Sequence, residues 1–321
     1  FASDLGKVRV LELDPEGVLV ASLTDSGKVV ALPDTDGDSK ADRVAEILSG
    51  LNQPHGLAFD AGYLYVAETD KVVRYLYDSP SMRAGPGEVL FSLPEGGRHF
   101  SRTIRIIGDK LHTAVGSSCD TCVEDDPKRA AISVSDLDGK NLRVFAKGLR
   151  NTVFFVKGPD GKIYGTDMGR DFLGDNLPPE EINIIEDGKD YGWPSCYGDR
   201  VRDREGEGDK DCAQTEAPIY TLPAHWAPLG LRFIDSVLFP KEWRGDLLVA
   251  FHGSWNSSVP VGYKVIRVNF EGGKPVSHED FMTDPTGRGE KFRPVDVIFD
   301  KEGNLYVSDD NAGVIYRVSG G

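Results

Sequence analysis

One phrase recurs six times along this chain: an apolar strand, a turn rich in Asp and Gly, and a second strand ending in small or acidic residues. The copies are LELDPEGVLVASL (11–23), GLAFDAGYLYVAE (56–68), TIRIIGDKLHTAVGS (103–117), FFVKGPDGKIYGTD (154–167), RFIDSVLFPKEWRGDLLVAFHGS (232–254) and VDVIFDKEGNLYVSDD (295–310). Each runs on into a further alternating strand such as KVVRYLYD, AISVSDLD, EINIIED, YKVIRVNF or GVIYRVSG. The unit is therefore a small antiparallel sheet whose hairpins close on turns such as PDG and KEG. Long amphipathic helical periodicity is missing. Six such meanders of about four strands, about 45 to 80 residues apart, predict an all-β, six-bladed β-propeller of four-stranded sheets. The 321 residues form one domain on this reading. A two-sheet sandwich could use the same hairpins, but it need not repeat one phrase six times.

Charge narrows the partners. With 37 Lys and Arg against 52 Asp and Glu, the formal net charge is −15, which argues against nucleic acid or an anionic membrane surface. The chain contains no apolar run of about 18 residues, the length that would span a bilayer. Phe1 opens neither a basic nor an apolar leader segment, so the chain reads as a mature or trimmed form. Oligomeric state is left open.

In a propeller the loop leading into each innermost strand opens on the same face as the loop after the second strand, so equivalent phases form rings. The first phase holds Pro54-His55, His99 to Arg102, Arg150-Asn151, His225 to Pro228 and Arg293-Pro294. The second holds Glu68, Ser117-Ser118, Gly169-Arg170, His252-Gly253 and Asp309-Asp310. Four of the six His and several Arg thus converge on one mouth of an acidic body, which suits a small polyanionic ligand. Taken singly, a loop His is more often a surface or capping residue, and a lone Arg a solvated ion pair.

LNQPHGLAF with LYVAETDKVVRY, GGRHFSRT with VGSSCDTC, KGLRN, MGRDFLGDNLPPEEIN with YGWPSCYG, HWAPLGL, AFHGSWN, and RPVDV with NLYVSDDNAG together resemble the soluble quinoprotein sugar dehydrogenases. That family groups soluble PQQ-dependent glucose dehydrogenase with aldose sugar and L-sorbosone dehydrogenases. The similarity covers nearly the whole chain and is closer to the sorbosone and aldose sugar type. It implies a six-bladed propeller that binds pyrroloquinoline quinone (PQQ) and Ca²⁺ at its mouth, oxidises the C1 hydroxyl of an aldose, and passes electrons to an external acceptor. His99 then matches the general base; Arg150 and Asn151 match the pair that contacts the quinone. Gly169 and Arg170 match the positions whose backbone carbonyls bind the catalytic Ca²⁺. Arg293 matches an arginine on a PQQ carboxylate, with Arg102 a second candidate. His225 falls where the glucose enzyme has a Thr near the cofactor, and His55 lies near a substrate-side glutamine. The family's cofactor-binding lysine has no equivalent around HGSW, which leaves His252 or Trp255 for that role, and Ser117 stands where an Asp orients the base. Glu181, the carbonyl of Tyr191 and the stretch Tyr197 to Asp199 resemble a second, structural calcium site, the alternative being a solvated acidic loop.

The residue types suit such chemistry. Taking a hydride from an alcohol requires removal of the hydroxyl proton, which a group with pKa near neutrality such as His99 does best. A divalent cation and a fixed guanidinium stabilise the negative charge that develops on a quinone carbonyl.

Other groups carry weaker signals. Asp34, Asp36, Asp38 and Asp42 in LPDTDGDSKAD read either as a calcium loop lacking the terminal bidentate Glu or as a plain acidic turn. Cys119-x-x-Cys122 and Cys196 with Cys212 read as two local disulfides rather than zinc ligands, in keeping with a periplasmic or secreted protein. Trp226 and Trp255 either wall the site or pack the blades. Two other readings stand beside the dehydrogenase: a calcium-dependent lactonase or esterase, with the metal held by side-chain oxygens at the axis, and a non-catalytic binding propeller.

Overall fold

Continuous apolar stretches such as LVASL and LLVAF can be buried only between layers, and a ring of sheets provides neighbours on both faces. The computed structural model describes residues 1–285, 287 and 291–319, and its regular secondary structure is almost wholly β: six antiparallel blade sheets and one further two-stranded hairpin. The innermost strands are Val8–Leu13, Leu57–Asp60, Arg102–Ile107, Phe155–Lys157, Pro228–Phe233 and Pro294–Phe299. Each packs on the next, and the last packs on the first, so the ring closes into the expected six-bladed propeller. Blades 1 to 6 span residues 8–48, 57–92, 102–147, 155–222, 228–282 and 294–318.

Burial follows radial position. The second strands Leu19–Leu23, Ile163–Asp167, Leu247–Phe251 and Leu305–Asp309 are buried at every residue, because adjacent blades cover both their faces. The outer strand Arg83–Ser92 is mostly exposed or half-buried. Leu64, Val66, Phe154, Phe251 and Val295, from three different blades and the loop into Phe155, belong to one apolar cluster. Full burial of each such side chain stabilises the fold by roughly 1.5–3 kcal/mol. Hairpins close as their turn residues require: Gly161 of PDG and Gly303 of KEG adopt φ of +84° and +93°, open to glycine at little cost.

Five sheets have four strands. The sixth has three in the described residues, Pro294–Phe299, Leu305–Asp309 and Val314–Val318, and its outer edge is bridged by Ala2. Ala2 and Ile315 exchange both backbone hydrogen bonds, at 3.3 and 2.9 Å, while the Phe1 ring lies edge-on to Tyr306. Gly320, at the end of the strand read from the sixth repeat, lies outside the described residues. Blade 4 carries the longest insertion, a hairpin of Cys196–Tyr197 and Val201–Arg202 between its third and fourth strands.

Candidate active site

The two phases identified in the repeats do meet. At the mouth they line a cavity of about 370 Å³ that includes His99, Arg150, Asn151, Gly169, Arg170, His225, His252, Trp255 and Arg293. Gly116 permits part of this convergence: a Cβ there would lie 2.8 Å from the His99 Cβ and would collide with the Asn151 amide.

His99 is held by its own blade. Its Nδ1 lies 2.9 Å from the Ser117 carbonyl, an acceptor only, so Nδ1 carries the hydrogen and Nε2 keeps the lone pair. Burial, then the adjacent Arg150 charge, pulls its pKa down to about 3 rather than leaving it near neutrality. The protein thus holds this ring neutral. His252 has the opposite tautomer: Nδ1 accepts from Arg293 Nη1 at 3.2 Å and Nε2 donates to Asp310 at 2.8 Å. Its pKa is lowered by burial, with Asp310 opposing. His225 lines the cavity, but its Nε2 is engaged by the Gly174 carbonyl at 2.7 Å.

Arg150 is the most heavily anchored cation, with its side chain 4% exposed. Nη2 lies 2.6 Å from Asp120 Oδ1 and 3.3 Å from Asp171, Nε donates to the Asp120 carbonyl at 3.0 Å, and Nη1 donates to the Gly169 carbonyl at 2.8 Å. The Gly169 oxygen assigned to a cation by resemblance is therefore shared with a guanidinium here. The Arg170 side chain turns to Asp203 at 3.1 Å and Asp120 at 3.6 Å.

The mouth is less cationic than its arginines imply. Arg9 pairs with Asp310 at 2.7 Å, Arg98 with Asp171 at 2.5 Å, Arg150 with Asp120, and Arg170 with Asp203. Arg293 differs: among the described residues its guanidinium meets only neutral groups, His252 Nδ1, the Tyr263 hydroxyl at 3.5 Å, and the Tyr263 ring. Arg293 thus stands on the cavity wall as a positive charge with no counter-ion among the described residues.

Two expected site residues are not brought to the cavity. Arg102 is fully buried below it and gives its donors to the carbonyls of Thr69, Pro94, His99 and Ser101, which fixes the loop into blade 3. His55 is fully buried against Phe154, with Nδ1 on Thr103 and Nε2 without a hydrogen-bond partner among the described residues. The acidic ends of the second strands brace the chain instead of facing a ligand. Asp167 accepts the Arg150 and Asn151 amides and the Thr152 hydroxyl, Glu68 accepts the Asn52 amide, and Asp309 the Asn311 and Ala312 amides. Glu180, from the third strand of blade 4, accepts the Gly169 and Ala227 amides and ties the loops of blades 4 and 5 together. Sequence reasoning passed over Arg9, Arg98, Asp120, Asp171 and Glu180. Arg9 could have been found as the one charge in the apolar run VRVL, and Arg98 from its place beside His99.

A second, narrow cavity adjoins the first and is lined by Glu181, Tyr191, Tyr197, Asp167 and Asp203. Burial pushes Glu181 up to about 8, and Asp167 adds to the rise. Its oxygens accept the Gly198 amide at 2.7 Å and the Asn183 side-chain amide at 3.0 Å. Asp199 is not part of this cavity: its side chain is 85% exposed beside Arg200. The Asp34, Asp36 and Asp42 carboxylates converge within 4.8 Å, while Asp38 turns to the Lys40 amide. This turn joins the third and fourth strands of blade 1, on the face away from the mouth. Both disulfides, Cys119–Cys122 and Cys196–Cys212, are formed, so no thiolate remains for zinc. Trp226 packs on Phe251 and His278, and Trp255 stands on the rim.

Solved propellers share this architecture. The PQQ domain of pyranose dehydrogenase from Coprinopsis cinerea, in its holo form, superposes with a TM-score of 0.83 over 99% of this chain and 94% of its own, at 23% identity. The calcium structure of a family AA12 carbohydrate-active enzyme from Trichoderma reesei gives 0.85 over 100% and 94%, also at 23%. In sequence, an uncharacterized protein of Borreliella burgdorferi is 33% identical, covering 87% of this chain and 79% of its own length. The Coprinopsis cinerea PQQ-dependent pyranose dehydrogenase is 27% identical over 97% of this chain, which spans about half of that relative, 52%. The sequence matches the TrAA12-like family through residues 1–204 and 200–321, and the chain therefore belongs to that family.

Proposed function

We propose that residues 1–321 form one catalytic domain that oxidises the C1 hydroxyl of an aldose, or a sorbosone-like sugar aldehyde, with PQQ and Ca²⁺, passing electrons to an external acceptor. The observation that carries this reading is Arg293, a cation without a counter-ion among the described residues, on the wall of a cavity beside a base-competent histidine. The residues fit the group: fork-shaped guanidiniums recognise planar carboxylates, and Arg9, Arg98, Arg150 and Arg293 all border the cavity. When bound, PQQ supplies the two-electron acceptor and Ca²⁺ the polarisation of its carbonyl. Arg293 and Arg9 would hold the carboxylate rim, Arg150 and Asn151 would face the reducible edge, and the Gly169 and Arg170 carbonyls would take the cation. His99 Nε2 accepts the hydroxyl proton as the hydride leaves, and the Ser117 carbonyl stabilises the imidazolium through Nδ1. The Glu181 cavity and the Asp34 turn are proposed as further Ca²⁺ sites. The disulfides support a periplasmic or secreted location, and no helix is long and apolar enough to cross a membrane.

The lactonase reading is weakened at the axis, where the carboxylates of the innermost strands are already engaged: Glu12 by Arg105, and Asp296 by the Leu11 and Val297 amides beside Arg232. The test is to add PQQ and Ca²⁺ to the apoprotein, titrate an aldose, and follow the quinone absorbance. Binding followed by bleaching is expected; a protein that neither binds PQQ nor bleaches it overturns the reading. His99→Ala should abolish bleaching while retaining PQQ binding.

A further inference from the structure

The segment 117–122 connects the histidine and the arginine of the mouth. The Ser117 carbonyl holds His99 Nδ1, and the Ser117 hydroxyl donates to the Cys119 carbonyl at 2.7 Å. Asp120 is the hub: its carboxylate meets Arg150 Nη2 at 2.6 Å, the Asp171 amide at 3.0 Å, Arg170 at 3.6 Å and Arg98 at 3.8 Å. Its carbonyl accepts from Arg150 Nε at 3.0 Å and from Trp193 Nε1 at 3.3 Å. Arg150 therefore donates two of its hydrogen bonds to a single residue. That residue lies in neither helix nor strand; the chain from Gly116 to Ala130 is irregular. What closes the turn around it is the Cys119–Cys122 disulfide, supported by Glu124 on the Ser118 amide and hydroxyl. Both cysteines are half-buried, within reach of a small reductant.

We propose that Asp120 is the positioning residue for Arg150 and that the Cys119–Cys122 bridge fixes Asp120 there, making the active site thiol-responsive. A dithiol reductant gives two electrons and two protons to the bridge; the Sγ–Sγ bond breaks, two thiols form, and the reductant closes to its own cyclic disulfide. The freed turn regains backbone freedom, and Asp120 leaves the guanidinium. The other bridge, Cys196–Cys212, makes no hydrogen bond to His99, Asp120 or Arg150 among the described residues; its loop meets the turn through Glu207 at Thr121 and Val123, so it serves as the internal control for residues 117–120 and Arg150. The consequence for turnover rests on the proposed function; the coupling of bridge to arginine does not.

The experiment compares wild type, Cys119→Ser/Cys122→Ser, Asp120→Asn and Cys196→Ser/Cys212→Ser at a temperature where each is folded. In the apoprotein, exchange of the amides of residues 117–120 and of the Arg150 Nε–H, which is bonded to the Asp120 carbonyl, should speed up when the 119–122 bridge is removed, but not when the control bridge is. With PQQ and Ca²⁺, removing the 119–122 bridge or the Asp120 charge should lower kcat about tenfold while changing the sugar KM by less than about twofold, because a reacting-edge contact is displaced and sugar contacts are not. Dithiol treatment should reproduce the loss in wild type and add nothing in Cys119→Ser/Cys122→Ser. A bridge that only stabilises would lower the Tm and leave kcat intact, and that result overturns the proposal, as does unchanged exchange at Arg150. If wild type binds no PQQ, the functional reading fails, while the exchange arm still decides whether the bridge controls Arg150.

Discussion

His99 shows how a residue type is set by its surroundings. A histidine read from sequence is a base with a pKa near neutrality, yet burial and the Arg150 charge hold this ring neutral down to about pH 3. A polyanionic ligand among the same arginines offsets that repulsion, so the His99 pKa should rise when PQQ binds; proton NMR of the imidazole with and without cofactor measures it, and an unchanged titration would count against an anionic ligand. Arg293 makes the complementary prediction. Its loss removes a charge-assisted hydrogen bond worth about 1.5–3 kcal/mol, so Arg293→Ala should weaken PQQ binding roughly 10- to 100-fold in an equilibrium titration. Arg9, already paired with Asp310, should matter less.

At the level of elements, the repeats place loops, and acids at strand ends then hold those loops in shape. Asp167 does this for the turn that carries Arg150 and Asn151, and Glu180 for the loops of Gly169 and Ala227. A second device ties blade 4 to blade 5 at the rim. Ser258 bonds Asp175, and the Asn256 side chain accepts the Phe172 amide at 3.0 Å. Phe172 is held at φ +65°, a strained conformation for a bulky residue, and 59% of it is exposed edge-on to Trp255, itself 64% exposed. Such an apolar shelf suits the C–H face of a pyranose. Trp255→Ala should therefore raise the sugar KM several-fold, by about 1 kcal/mol of lost aromatic contact, with kcat little changed; a fall in kcat alone would place Trp255 against the cofactor instead.

For the whole molecule, the net charge of −15 conceals where the acids lie. Glu180 and Glu181 are fully buried, and burial raises them from an ordinary 4.5 to about 7 and about 8. Because the native state keeps these protons to higher pH than the unfolded chain does, the stability they contribute is full below about pH 4.5 and declines as pH rises through 7 to 8. The metal-free protein should therefore lose Tm across that window, and added Ca²⁺ should restore more of it at pH 8 than at pH 5 if Glu181 is a ligand. Scanning calorimetry at both pH values decides; equal calcium shifts would remove Glu181 from the metal site.

The repeated phrase by itself determined six antiparallel sheets, their ring and the face on which His99, Arg150, His252 and Arg293 meet, because strand alternation and turn chemistry are local and a propeller converts repeat phase directly into position. Local disulfides were legible for the same reason, since their partners are close in sequence. Only the tertiary structure decided which charges remain free. Arg102 and His55 share the phase of the mouth yet are drawn beneath it by carbonyls and by Thr103, while Asp120 and Asp310 neutralise arginines 30 and 301 residues away. Pairing over such separations depends on where side chains end after packing, which no spacing along the chain encodes.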